Sequence, residues 1–302
     1  MSLNEIFENK SESFRLLFFF FILFIFSVLG LLVGMSVLSE DIILSEDQIL
    51  DQKIIFQMKI SQIITSVFIF IIPPIFFTFL EGSGTLKRIG FINNFNRQII
   101  LLVLCMICLF QPFISYTIQL NTDLIMQLPE SFHSIKNYII IMEEQAIKVT
   151  QAFLEMETLS DLIFNLFLIA LLPAIGEEML FRGVIQQRLK NIIGSPHISI
   201  LITSFLFSLI HMQFFGFIPR FLLGALLGYL FYYSRNLWMP VIAHFMNNAI
   251  YVFLMYPFIA EKLNFDITAE DIQDTSISTA LFSLLAGLML LYLYKKILKR
   301  SN

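Results

Sequence analysis

The chain has 302 residues, 57% of them hydrophobic and 14% charged, with 35 phenylalanines and a net charge of -4; its mean hydropathy is +0.80. A soluble globular domain carries about 25% charged residues, and several apolar runs here exceed the ~20 residues needed to cross a bilayer. A soluble fold is therefore excluded, an all-α polytopic membrane protein is expected, and the absence of a basic cluster argues against nucleic acid as a partner.

In chain order, hydropathy predicts eight transmembrane helices, at residues 16–38, 60–80, 99–118, 162–181, 198–212, 221–233, 238–258 and 276–294. The first run is too long for a signal-peptide core and lacks a small-x-small cleavage site, so it reads as a retained span. Pro73-Pro74 in the second and Pro112 in the third predict kinks rather than breaks, because neighbouring helices can satisfy freed carbonyls. Cys105 and Cys108, a C-M-I-C pair within the third run, lack the further ligands of a zinc site and the accessible thiolate of a redox pair. They read as small apolar helix residues. The one sizeable loop, 122–160, carries helix-compatible spacing over 138–159 and is expected to lie along the outer interface.

Orientation follows from Lys and Arg. With the N-terminus in the cytoplasm, 13 basic residues fall on cytoplasmic segments and 6 on outer ones, which the positive-inside rule favours. The acids Glu40, Asp41, Glu46, Asp47, Asp266, Glu270, Asp271 and Asp274 then cluster outside. Both termini are expected in the cytoplasm, and the chain is treated as a single integral-membrane domain, 1–302, in the cytoplasmic (inner) membrane of a bacterium.

Few ionisable groups lie within the predicted spans: Glu177, Glu178, Arg182, His211 and His244, with Asn247 and Asn248 as neutral companions. A charge at the bilayer centre costs roughly 3 kcal/mol or more, so such groups are rare and usually functional. The turn Gly194-Ser195-Pro196 separates the fourth and fifth helices. Glu177 precedes it and His211 follows it by similar lengths, roughly 22–26 Å of helix, so the two should meet at one depth. Glu178 and Arg182, at i,i+4 with the acid first, should pair. Glu177, about 100° around the helix, is then left for chemistry. His244 and Asn248 share one helical face. A partly desolvated Glu can act as general base on water, while imidazole N–H groups and a carboxamide can hold an oxyanion. Two His and a Glu are equally the donor set of a catalytic zinc site. Both routes end at amide hydrolysis, and no G-x-S-x-G nucleophile motif is present.

These residues resemble the CPBP family, the CAAX proteases and bacteriocin-processing enzymes also known as Abi proteins. Its EExxxR motif stands here as Glu177-Glu178-Met179-Leu180-Phe181-Arg182, its FxxxH as Phe207-Ser208-Leu209-Ile210-His211, and its HxxxN as His244-Phe245-Met246-Asn247-Asn248. The likeness covers roughly 171–251, within a catalytic core at 160–258. It implies an intramembrane endopeptidase, metalloprotease or glutamate-dependent, whose site opens to the cytoplasmic side. In that reading Glu177 activates water, and His211, His244 and Asn248 position it or hold the oxyanion. Glu178, Arg182 and Phe207 support them. If a metal is used, zinc held by Glu177, His211 and His244 is the expected one; the metal-free route is favoured, since that ligation would leave Glu178 as the only nearby base. The expected partners are the bilayer and a peptide or membrane-protein substrate, with a lipidated or apolar tail. The rival readings are a non-enzymatic scaffold or bacteriocin-immunity protein, and a proton-coupled transporter using Glu177 and the His pair.

Overall fold

The computed structural model describes residues 7, 10–38, 51–82, 84–92, 96–263 and 275–301. Among these, every regular element is helical. The first half holds α1 Glu12–Met35, α2 Gln52–Ser66, α3 Ile72–Leu80, α4 Thr85–Ile89, α5 Arg97–Met126 and α6 His133–Leu154. The second holds α7 Leu159–Asn165, α8 Leu172–Glu178, α9 Gln187–Ile193, α10 Pro196–Leu209, α11 Phe217–Ser234, α12 Trp238–Leu254, α13 Pro257–Leu263 and α14 Ile277–Ser301. Three wider π segments splice helices end to end: π1 Val67–Ile71, π2 Leu166–Leu171 and π3 Met179–Gln186.

Among the described residues, six helices are long and apolar enough to cross a membrane: Glu12–Met35, Gln52–Leu80, Arg97–Met126, Leu159–Ile193, Phe217–Ser234 and Ile277–Arg300. The helices at the expected fifth and seventh spans are shorter, so six of the eight expected spans are full-length. α10 has 14 residues and α12 has 17. At 1.5 Å per residue these reach roughly 21 and 26 Å, against about 30 Å of hydrocarbon. Both are cut by local chemistry. After α10 the backbone turns through a positive φ at Met212 and re-enters as α11 at Phe217. Beyond α12, Pro257 opens a new short helix, because proline cannot continue the old one.

The prolines bend the bundle in two ways. Proline lacks an N–H and its ring crowds the carbonyl four residues back. Ahead of Pro73-Pro74 the helix opens into π1, and ahead of Pro173 it opens into π2, so the missing bond is absorbed by a wider turn. α5 instead runs through Pro112. There the hydroxyl of Ser283 on α14 accepts from the Phe113 N–H at 3.1 Å and donates to the Leu109 carbonyl at 2.5 Å. A side chain from a neighbouring helix thus takes up groups the proline displaces.

The expected interfacial helix at 138–159 is α6, beginning earlier, at His133. Cys105 and Cys108 are free and face outward from α5. At one end of the bundle Arg188 of α9 pairs with Glu12 of α1 at 2.8 Å and with Glu81, and Glu81 pairs with Arg15 at 3.1 Å. His197 of α10 and Lys299 of α14 line one cavity at that end. The start of α1 and the end of α14 therefore lie together with the α9–α10 turn. The acids counted toward the outer face, Glu40, Asp41, Glu46, Asp47, Asp266, Glu270, Asp271 and Asp274, lie outside the described residues.

Candidate active site

Glu177 and Glu178 close α8, Arg182 lies in π3, His211 follows α10, and His244, Asn247 and Asn248 lie on α12. Gly176 permits the close packing behind them: a Cβ there would fall 2.8 Å from Phe70 Cβ on π1.

Glu178 and Arg182 pair as their spacing predicts, at 2.6 Å, with both side chains fully buried. The guanidinium also donates to the Gly224 carbonyl of α11 at 2.8 Å. One turn on, Gln186 donates to the Gly228 carbonyl at 3.1 Å, so π3 is laced to α11 at two matching positions. Phe207 sits at the centre of this packing. The Arg182 guanidinium lies 4.7 Å from its ring centroid, and the rings of Phe181, His211 and His244 meet it edge-on at 5.3, 5.3 and 5.8 Å. The first position of the FxxxH motif is thus an apolar post that sets both imidazoles and the guanidinium.

His244 is shared between the two acids. Its Nδ1 lies 3.0 Å from Glu178 Oε1 and its Nε2 lies 3.9 Å from Glu177 Oε2. The sequence reading gave Glu178 to Arg182 alone; the structure adds the His244 ring to it. Since a carboxylate only accepts, the Nδ1 proton of this contact belongs to His244, and Nε2 is the ring nitrogen turned toward Glu177. His211 repeats the pattern, with Nδ1 2.8 Å from the Phe207 carbonyl. Glu177 lies within electrostatic reach of His211. No hydrogen bond to Glu177 is formed among the described residues, and its Oε2 is buried without a partner.

Asn248 is brought against the same helix as Glu177, donating to the Ile169 carbonyl at 3.2 Å. That carbonyl stands four residues before Pro173, where the proline has no N–H to offer. Asn247 donates to Asn248 Oδ1 at 3.2 Å and accepts from Gln111 of α5 at 3.1 Å.

Several polar residues around the site were not singled out from the sequence. Asn121 donates to the carbonyls of Phe214 and Phe215 at 2.5 and 2.7 Å, pinning the turn after His211. Arg220, assigned to an outer segment, lies in α11, donates to Gln213, and is within electrostatic reach of Glu177 and Glu143. Asn121 and Gln111 are carboxamides in the long helix α5, and polar side chains on such an apolar helix are the sequence signal of these contacts. A cavity of about 250 Å³ is lined by Glu143, Arg220 and Asn247 on the α6 side. A cavity of about 870 Å³ at the α9–α10 end is lined by none of the candidate catalytic residues.

Among the described residues, no three His, Cys, Asp or Glu side chains are grouped as ligands of one metal ion. The set expected for zinc, Glu177, His211 and His244, does not form such a group.

Among curated proteins the chain is similar to the Uncharacterized protein YpbD of Bacillus subtilis (strain 168), with 32% identity over 91 residues. That match covers 29% of this chain and 43% of the relative, so the chain aligns with less than half of its length. No solved structure matches the chain. Residues 159–250, which hold all three motifs, match the family of type II CAAX prenyl endopeptidase Rce1-like proteins.

Proposed function

We propose that this chain is an intramembrane endopeptidase in which Glu177 activates the hydrolytic water. The observation that carries this reading is the pair of contacts made by His244, with one ring nitrogen on Glu178 and the other 3.9 Å from the unpartnered Glu177 Oε2. Glu178, itself tied to Arg182, fixes the ring and its tautomer. With Nδ1 engaged on each imidazole, Nε2 is the nitrogen left for chemistry, accepting from water when unprotonated and donating to an oxyanion when protonated.

The step balances within these groups. Glu177 takes a proton from water as the water oxygen bonds to the scissile carbonyl carbon. The carbonyl oxygen gains negative charge and is held by whichever of His211 and His244 enters the step already protonated at Nε2 and keeps that proton throughout, with Asn248 helping to orient the attacking group. The carboxyl proton of Glu177 then passes to the leaving nitrogen as the C–N bond breaks, giving a carboxylic acid and an amine. The substrate class is a peptide or membrane-protein segment, with a lipidated or apolar tail lying among the helices. Integral membrane placement is supported by the six long apolar helices.

The test is a comparison of wild-type protein and Glu177→Gln in membrane vesicles, scoring cleaved membrane peptides by mass spectrometry, with and without a chelator. Loss of general-base catalysis lowers the rate by about 10³-fold, while the variant stays folded in the membrane and the wild-type rate survives the chelator. Cleavage by Glu177→Gln at the wild-type rate overturns the mechanism.

A further inference from the structure

A cavity of about 870 Å³ opens at the α9–α10 end and is lined by none of the candidate catalytic residues. Its wall is basic. Arg235, from the turn between α11 and α12, meets Lys295 and Lys299 of α14, with His197 of α10 opposite. The chain has more acids than bases, 23 against 19, yet among the described residues no Asp or Glu lines this space. Among the described residues none of these three cations has a carboxylate partner; Lys295 lies instead over the Tyr233 ring, 5.1 Å from its centroid. An aromatic face holds an ammonium without neutralising it, so the charge is directed into the cavity uncompensated. Arg235 also sits at a φ of +53°, a backbone conformation that residues other than glycine and asparagine seldom adopt. An exposed cation there projects from a turn whose shape would ordinarily favour a smaller residue.

We propose that this cavity binds a phosphate-bearing anion, supplied as the headgroup of an acidic phospholipid. The position favours a lipid over a soluble anion. Tyr232 and Tyr233 line the rim, and Tyr292 is exposed on α14 below an outward apolar stripe that includes Phe282, Leu285 and Met289. Tyrosines collect at headgroup level, and basic pockets between transmembrane helices take phosphate-bearing headgroups. The acyl chains would lie along the apolar flank of α14. The inference does not depend on peptidase activity.

The experiment titrates the full detergent-solubilised chain with short-chain phosphatidylglycerol, short-chain phosphatidylcholine and inorganic phosphate. The readouts are fluorescence of the single tryptophan, Trp238, and the melting temperature. Wild type responds to phosphatidylglycerol well below the concentration at which phosphatidylcholine acts. In Lys295→Gln/Lys299→Gln the phosphatidylglycerol response weakens about 30-fold, roughly a factor of five per lysine. Lys295→Arg/Lys299→Arg keeps it. A parallel variant, Arg235→Asn, removes charge while suiting the left-handed turn, and must weaken binding even if the glutamine pair misfolds. If inorganic phosphate alone shows the variant-sensitive response, the anion site stands and its ligand is free phosphate rather than lipid. Equal phosphatidylglycerol responses in wild type, the glutamine pair and Arg235→Asn overturn the proposal.

Discussion

Two charged clusters inside this apolar chain are built on opposite principles. At the α9–α10 end, Arg15 and Arg188 face Glu12 and Glu81 in a closed set of ion pairs, two positive against two negative. None of the four leaves a buried polar atom without a partner. At the candidate site, Glu178 pairs with Arg182, while Glu177 has no arginine or lysine in direct contact among the described residues and both acids face the ring of His244. Counting Arg220 and Glu143 within reach leaves three acids against two cations. Oε2 of each site glutamate and Nε of Arg182 are buried without hydrogen-bond partners. A balanced cluster fastens helices; an unbalanced one must exchange a proton or bind something to become balanced. Burying an incompletely paired charge is costly, and that cost is the mark by which the second cluster is read as chemistry rather than as a fastener.

The contrast can be broken by substitution. Arg182→Met leaves Glu178 buried with only His244 as partner, and should destabilise the protein by about 3–5 kcal/mol, read as a lowered thermal midpoint in detergent and reduced membrane yield. Arg182→Lys should not restore it, since one ammonium cannot reach Glu178 and the Gly224 carbonyl with the fork geometry of the guanidinium. Glu177→Gln, the inactive variant, should gain roughly 1 kcal/mol by removing the excess negative charge, the usual trade between activity and stability; a lower midpoint would mean that Glu177 is a fastener after all. Ser283→Ala tests a neutral contact of the same bundle and should cost about 1 kcal/mol, because Phe113 N–H and the Leu109 carbonyl lose their bridge at Pro112. The smallest effect is expected at the balanced cluster. Arg188→Gln, at a partly exposed position, should cost under about 1 kcal/mol and leave the cleavage rate unchanged. A rate loss there would show that the two clusters communicate.

Much of this was open to reading from the chain alone. Apolar runs marked the six full-length helices because hydrocarbon demands internally bonded backbone. The Glu178–Arg182 pair followed from four-residue spacing, and the candidate residues stood out as the few ionisable groups at membrane depth. The misreadings have physical causes. α10 and α12 looked like full-length spans because hydropathy does not register a turn enforced at Met212 or a stop at Pro257. The π segments went unseen, although Pro173, like Pro73, signals one, because a widened turn preserves the apolar pattern. Glu178 was given one partner because its second, His244, is 66 residues away.

What the sequence determined by itself was which residues are polar where water is scarce, and hence which ones need an explanation. Which nitrogen faces which oxygen was decided only by packing. Phe207 sets the rings, Gly176 and Gly224 set how closely the helices approach, and the prolines set where the turns widen. A helix fixes its own periodicity through local bonds. The rotation of one helix about its axis relative to another is fixed by contacts between distant segments, and there the roles of Glu177 and Glu178 diverge.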